Sequence, residues 1–384
     1  MTKPVQVRLV QGIDNIDASA WDACAGADQP FLSYAFLFAL EASGAATGET
    51  GWLPLHAVAE QDGEIIACAP MYLKSHSYGE YIFDWGWANA YERAGGRYYP
   101  KLQVAVPFTP VPGPRLLTRP GVDVARPAIV QGLLSAAEQI DCSSLHVTFC
   151  QEAEWQELGE AGMMRRRGVQ YHWHNRGYQS FDDFLGSLKS SKRKMIKKER
   201  SKVLGQDLTL ETLTGDRLTP EIWDSFYPFY LSTVDKRWGS AYLTKDFFQR
   251  LGALMPERIV LVMAKHNDTY VAGALNLLGN DTLYGRNWGC RKEFDFLHFE
   301  ACYYAAIDFA IEHNLARVEA GAQGQHKLHR GYEPVPTYSA HWIRDRNFRT
   351  AVGHFLRQER EEMERETEAL RELLPYRQEG DGAA

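Results

Sequence analysis

Apolar and polar positions along this chain follow two rhythms, and the switches between them mark its elements. Spacings of three and four predict helices over Ser33–Ser43, Ala125–Ile140, Glu152–Ala161, Pro220–Val234, Lys245–Leu254 and Phe299–His313. Short apolar or alternating runs predict strands at Leu55–Glu60, Glu64–Leu73, Ser144–Phe149, Gln170–Trp173, Ile259–Ala264, Tyr270–Leu278, Thr282–Trp288, Ala316–Val318 and Thr337–Ile343. Asp62-Gly63, Asn267-Asp268 and Gly279-Asn280-Asp281 supply the turns between them. Five prolines between Pro107 and Pro120 predict an extended crossing segment. A long helix closes the chain, from about Phe348 to Leu374, with Phe348, Val352, Phe355, Leu356, Met363, Leu370 and Leu373 as its apolar positions. One order of elements occurs twice: helix, hairpin strands, helix, strand, helix or loop, strand. The class is therefore α/β with mixed sheets, in two halves, 1–175 and 176–384, joined near Arg176–Phe181.

The charge pattern adds one element. Leu188–Val203 carries eight basic residues and one acid, and Leu185, Leu188, Met195 and Val203 keep an apolar stripe through it. This predicts an amphipathic basic helix over 182–204 linking the halves. In a chain of net charge −7 such a cluster is a local source of positive potential. Lys192, Arg193 and Lys197 would bind the phosphates of a donor molecule. The bland alternative pairs this run with the acidic terminal helix, where Glu359, Glu361, Glu362, Glu364, Glu366 and Glu368 interleave with arginines. That terminal helix is a packing element and a candidate seam for an oligomer.

Composition fits a globular protein with a sizeable core: 384 residues, 45% hydrophobic, 12% aromatic. The first residues show no signal-peptide core, and no apolar run reaches the length of a membrane span, which places the protein in the cytoplasm without membrane insertion. Six scattered cysteines without a Cys-x-x-Cys argue against a zinc ribbon or a disulfide framework. No His, Cys or acid spacing matches a metal signature, so no metal is expected.

The densest chemistry lies in Glu319-Ala-Gly-Ala-Gln-Gly-Gln-His-Lys-Leu-His-Arg-Gly-Tyr332, just after a strand. So many polar groups cannot be buried unpaired, since each would cost about 1–3 kcal/mol. A Gly-rich polar loop at a strand end is a common place for a binding site. Two segments precede it: Leu283-Tyr-Gly-Arg-Asn-Trp-Gly-Cys290 and Leu297-His-Phe-Glu-Ala-Cys-Tyr-Tyr304. The first half holds an aromatic cluster around one acid and one lysine: Asp84, Trp85, Trp87, Tyr91, Tyr98, Tyr99 and Lys101.

Together these segments resemble the FemAB-like predicted N-acyltransferases, a branch of the GNAT superfamily labelled peptidoglycan biosynthesis or recognition. Phe31–Gly44, Gly79–Trp87, Tyr98–Leu102 and Pro107–Arg115 look like the opening helix and central blocks of that family. The resemblance runs from about Phe31 to about His341. It implies tandem GNAT-like halves and a transfer of an acyl or aminoacyl group from an activated donor, acyl-CoA or aminoacyl-tRNA, to an amine by direct attack. The donor is a co-substrate, and no cofactor is held permanently. Acceptors would be small-molecule or cell-wall-type amines, and a tRNA would be a partner where it carries the acyl group. The GNAT pyrophosphate loop is absent in clean form, and Gln323–Gly331 is only a loose relative. The alternative is a non-catalytic protein that recognises a peptide or glycan with the same residues.

Acyl transfer to an amine needs a group to take a proton and donors for the developing oxyanion. Glu319 is the preferred base, with His298 and Glu300 as substitutes. Arg286, Asn287, Trp288, Gln323, His326, Lys327 and Arg330 are the expected substrate-binding residues of the second half. Asp84, Trp85, Tyr99 and Lys101 are those of the first.

Overall fold

The computed structural model describes residues 4–237, 241–321 and 324–377, with side chains given for all of these but 235–237. The chain divides into two compact units, Met1–Gly168 with Pro336–Glu364 and Val169–Val335 with Arg365–Ala384. It leaves the first unit after Gly168, returns at Pro336 and leaves again after Glu364. A single cut between 175 and 176 does not express that return.

In the first unit, Gln6–Val10, His56–Gln61, Glu64–Ala69 and Leu117–Thr118 form an antiparallel sheet. Trp52–Pro54, Met71–Lys74 and Lys101–Val104 pair antiparallel, Lys101–Val104 runs parallel to Ser144–Cys150, and Tyr338–Ile343 pairs antiparallel with the latter. The helix Ala125–Gln139 makes the crossover between the parallel strands. Its buried Ile129, Leu133, Ala136 and Ala137 pack on Val104, Leu145 and Val147.

The second unit repeats the arrangement. Leu208–Leu213, Ile259–His266, Thr269–Leu278 and Thr282–Cys290 are antiparallel neighbours. Thr282–Cys290 runs parallel to Arg317–Glu319, which pairs antiparallel with His172–His174. The crossover here is the helical stretch Leu297–Glu312, which includes one π-helical turn, Glu300–Tyr304. Each unit thus holds an antiparallel pair, a parallel pair bridged by a helix, and an antiparallel neighbour. This is the doubled order read from the sequence, matching the tandem GNAT-like halves that the family resemblance implies, and the long terminal helix Arg346–Glu372 follows it.

Local chemistry explains the element ends. Ser33 and Thr244 cap their helices by accepting from the Phe36 and Phe247 amides at 3.3 and 3.1 Å. Several sequence expectations are corrected. Glu64–Leu73 is not one strand: Pro70 cannot donate to a ladder, and the chain changes sheets there, from Glu64–Ala69 to Met71–Lys74. The expected helix 182–204 is two, Phe181–Gly186 and Ser190–Leu204, and the buried face of the second is Ile196, Glu199 and Val203. The aromatic run after Asp84 is itself a helix, Trp85–Arg93. On the terminal helix Val352, Leu356 and Leu370 are buried, whereas Phe355 stays 47% exposed and Leu373, just past the helix end, 58%. Its acids Glu359 and Glu364 pair with Arg166 and Arg167, not with the basic run.

One glycine sets a close approach in the second unit. A Cβ on Gly289 would lie 1.7 Å from the Phe229 carbonyl oxygen of the helix Pro220–Arg237. Gly289→Ala must therefore push helix and strand apart. A stability loss of about 1–3 kcal/mol or more is expected, read as a lowered Tm. An unchanged Tm would mean that the helix does not rest on that strand.

Candidate active site

The parallel pairing of Thr282–Cys290 with Arg317–Glu319 lasts three residues: Thr282 opposite Arg317, Leu283 opposite Val318, Tyr284 opposite Glu319. Beyond it the first strand follows its antiparallel neighbour, and a bulge at Arg286 shifts the register, with Gly285 opposite Asn276 and Asn287 opposite Leu275. Where the strands part lies a pocket of about 90 Å³, lined by Asn276, Arg286, Asn287, Trp288, Cys302 and Ala320 among others. Gly285 keeps the gap narrow, since a Cβ there would sit 3.3 Å from the Glu319 carbonyl oxygen.

Glu319 ends its strand only 6% exposed. Burial pushes its carboxyl up to about 8; Arg317 and Arg286 oppose the shift and Asp281 adds to it. Its Oε2 has no hydrogen-bond partner among the described residues. Its Oε1 lies 3.7 Å from His172 Nδ1, too far for a hydrogen bond. His172 is pushed down to about 3, by burial first and then by His174, Arg317 and Lys327, so it is neutral and forms no ion pair with Glu319. Lys327 is 2% exposed and donates from Nζ to the Gly321 carbonyl at 2.9 Å. Burial pushes its ammonium down to about 8, against a small opposing effect of Cys302.

The other expected residues separate into two kinds. His298 belongs to a ring cluster with Trp288 at 5.5 Å, Tyr303 at 5.4 Å and His326 at 6.5 Å. His326 Nε2 meets the Tyr303 hydroxyl at 2.9 Å. Glu300 and Arg330 are instead held in ion pairs. Glu300 accepts from Arg200 at 2.9 Å, and Asp308 shares that guanidinium. Arg330 pairs with buried Glu199 at 2.8 Å. Gln323 lies outside the described residues. On the basic helix Lys192 Nζ meets His329 Nδ1 at 3.0 Å, Lys197 pairs with Asp182 at 2.9 Å, and Arg193 is half-buried.

In the first unit Lys101 is fully buried. It donates to Ser77 Oγ and Glu80 Oε2, both at 2.7 Å, and to Asp84 Oδ2, which also accepts from Tyr98 at 2.8 Å. Burial alone would push Lys101 down, but Asp84 and Glu80 overcome it and hold it charged. Asp84 is 2% exposed, so both ions sit beneath the surface, and only Trp85 and Tyr99 of the four expected residues keep partial exposure.

A sequence model of the FemAB-like family, described as peptidoglycan biosynthesis/recognition, matches residues 12–378. The chain belongs to the FemAB-like family. That membership makes it an acyltransferase in class. Among solved structures it resembles FemX, with 12% identity and a TM-score of 0.55 over 91% of this chain and 100% of the other. It also resembles L-PGS from Bacillus licheniformis, with 11% identity and a TM-score of 0.51 over 83% and 95%. At these identities the likeness is one of fold. No curated protein matches the chain.

In this FemAB-like chain, sequence reasoning missed His172, Glu199, Glu80 and Lys74. A signal existed for the first: Gln170, His172 and His174 alternate with Tyr171 and Trp173, so one face of that strand is polar. Among the described residues no helix is long and apolar enough to cross a membrane, and no cluster of three His, Cys or acids is placed to hold a metal.

The raised Glu319 carboxyl has a stability consequence. In the unfolded chain it titrates near 4.5, in the folded protein near 8, so the folded state holds the extra proton between those values. Its contribution to stability is present below about pH 4.5 and falls steadily as pH rises to 8. Glu319→Gln removes that fall. Relative to wild type, the variant should gain stability from pH 5 to pH 8, by an amount on the order of 3–5 kcal/mol. Parallel Tm–pH curves for the two proteins would show that Glu319 titrates normally.

Proposed function

We propose that this FemAB-like protein is an N-acyltransferase that moves an acyl or aminoacyl group from acyl-CoA or aminoacyl-tRNA to an amine, with direct attack of the amine on the donor carbonyl. The carrying observation is the buried carboxyl of Glu319, whose Oε2 has no hydrogen-bond partner among the described residues. An ordinary alkyl ammonium loses its proton near pH 10.4, so attack at neutral pH needs a nearby acceptor. A base titrating near 8 is matched to that task. Glu319 takes the proton; Glu300 is already committed to Arg200, and His298 is packed among rings.

Lys327 and Arg286 supply positive charge, for the oxyanion that develops on the donor carbonyl or for anionic groups of either substrate. Asn287 and Trp288 line the space where the strands part, and His326 and Gln323 complete the substrate-binding candidates of this half. The 90 Å³ pocket is about three water volumes, which suits a small acyl or aminoacyl group. Lys192, Arg193 and Lys197 would hold donor phosphates. On the first unit Trp85 and Tyr99, supported by Asp84 and Lys101, would offer aromatic surface to a cell-wall-type or small-molecule acceptor. Both donors are cytoplasmic molecules, so the reaction belongs in the cytoplasm.

A thermal-shift experiment tests this. A donor bound only by the native state adds about 2.7 kcal/mol at a hundred times its Kd. Acyl-CoA or aminoacyl-tRNA should raise the Tm, and failure of both would favour a recognition protein over an enzyme. With the effective donor, Glu319→Gln should lower kcat about 10²–10⁴-fold. Activity of the wild type should peak in a narrow band around pH 8, falling below it as Glu319 takes up its proton and above it as Lys327 loses its own.

The basic helix is tested by the triple change Lys192→Ala, Arg193→Ala and Lys197→Ala. The Lys192 and Lys197 contacts are at the surface, so the Tm should barely move. Donor affinity should drop. With a tRNA donor the log–log salt slope should flatten by roughly 0.7–0.9 per lost phosphate contact. Intact affinity with a lowered Tm would make the run purely structural.

A further inference from the structure

Within its basic run the helix Ser190–Leu204 carries a single acid, Glu199, and turns it inward beside Ile196 and Val203. Its carboxylate accepts from Arg330 Nη2 at 2.8 and 3.0 Å, and from the Tyr304 hydroxyl. Arg330 uses its remaining nitrogens close by. Nε donates to the Tyr304 oxygen at 3.0 Å, and Nη1 donates to the His326 carbonyl at 2.9 Å. The guanidinium plane lies 3.6 Å from the ring centre of Phe299. Every direction of the fork is thereby fixed. The His326 carbonyl belongs to the peptide that leads into Lys327.

The π-helical turn Glu300–Tyr304 completes the device. Consecutive tyrosines both reach the turn Gln325–Arg330: Tyr303 holds the His326 ring at 2.9 Å, and Tyr304 bridges Glu199 and Arg330. An apolar side chain at position 199 would bury as well, and a buried ion pair is often replaceable without loss of stability. The ion pair adds direction. It sets one orientation of Arg330, hence of the His326 carbonyl, hence of the Lys327 backbone.

We propose that Glu199 is a positioning residue: through Arg330 it fixes the turn Gln325–Arg330 and so aims the Lys327 ammonium, on which the acyl transfer proposed above relies. The basic helix then has two faces with two duties. Its outer face, with exposed Lys194 and Lys198 beside Lys197, is open to solvent, and its inner acid locks the site.

The first test needs no substrate, so it is independent of the functional reading. The full chain is labelled briefly with acetic anhydride, and each lysine is followed by peptide mass spectrometry. In wild type Lys327 and Lys101 should both be protected. In Glu199→Gln the Lys327 rate should rise at least tenfold while Lys101 stays protected. Tyr304→Phe, which removes one hydroxyl, should give a smaller rise and serves if Glu199→Gln does not fold. Unchanged protection of Lys327, or exposure of Lys327 and Lys101 in step, overturns the proposal.

The second test uses whichever donor raises the Tm. Glu199→Gln should lower kcat at least tenfold with the donor KM within twofold, and should cause no further loss in a Lys327→Met background. Losses that multiply in the double variant would show that Glu199 acts by another route, and so overturn it. If Lys327→Met alone leaves kcat intact while labelling behaves as expected, the catalytic reading fails and the positioning geometry stands.

Discussion

The parallel ladder between Thr282–Cys290 and Arg317–Glu319 ends after three pairs, and the site follows from that ending. A strand that loses its neighbour leaves polar backbone groups that must find other partners. Here the chain after Glu319 ties to itself, with Lys327 donating to the Gly321 carbonyl, and Gly285 lets the two backbones stay close without a side chain between them. The first unit has the same parallel pair, yet its strand end is sealed. Gly113 and Arg115 of the proline-rich segment donate to the Phe149 and Thr148 carbonyls, and Glu154 ties down the Arg115 and Leu116 amides. One topology is thus closed in one unit and left in the other with a carboxyl oxygen, Glu319 Oε2, that has no hydrogen-bond partner among the described residues.

Burial then sorts the charges. Glu319 and Lys327 ordinarily titrate about six pH units apart, and the same desolvation drives both to about 8. A displaced pKa does not identify a site by itself. In the first unit burial brings Glu80 up to about 7 and Lys74 down to about 6. Those two face each other across 3.9 Å, and Lys101 fills the remaining Glu80 oxygen. Glu80 Oε1 and Glu319 Oε2 both lack a hydrogen-bond partner among the described residues, but Glu319 differs because no described cation is bonded to its carboxyl, whereas Glu80 is bonded to Lys101. Arg330, Arg200 and Lys101 all have carboxylate partners within hydrogen-bond reach, which marks them as parts of the frame.

Much of the frame could be read from the chain. Helix and strand periodicities placed the strands from Ile259 to Glu319 within a residue or two, because their Asn-Asp and Gly-Asn-Asp turns are unambiguous, but Leu208–Leu213 was not read as a strand and Met164–His174 was read only from Gln170 to Trp173. Local rules failed where a partner came from far along the sequence. Pro70 could have been read as a strand break from its missing donor alone. The inward turn of Glu199 could not, since its partners Arg330 and Tyr304 lie 131 and 105 residues away. Asp84 and Lys101 were noticed as chemistry at a surface, and the fold closes them into a network with Glu80 and Ser77. At the site, Glu319 stood out in the sequence as a carboxylate at a strand end that opens a polar, Gly-rich loop. His172, paired opposite it in the ladder, was legible only as one member of an alternating strand.

The basic run shows why a charged segment near such a site benefits from being a helix. A flexible tail could bring the same eight cations to a phosphate, but it would lose their orientation and could not transmit position. A helix fixes which residues face in and which face out at a period of 3.6. Ile196, Glu199 and Val203 fall on one side, Lys194 and Lys198 on another. With Glu199 bonded to Arg330, and Lys192 touching His329 three ångströms away, the helix grips the Gln325–Arg330 turn at two points along its length. Two contacts on one rigid rod resist rotation of the turn where one contact would act as a pivot. The polar loop that stands out in the sequence is thereby held from outside, by the element that stands out next for its charge.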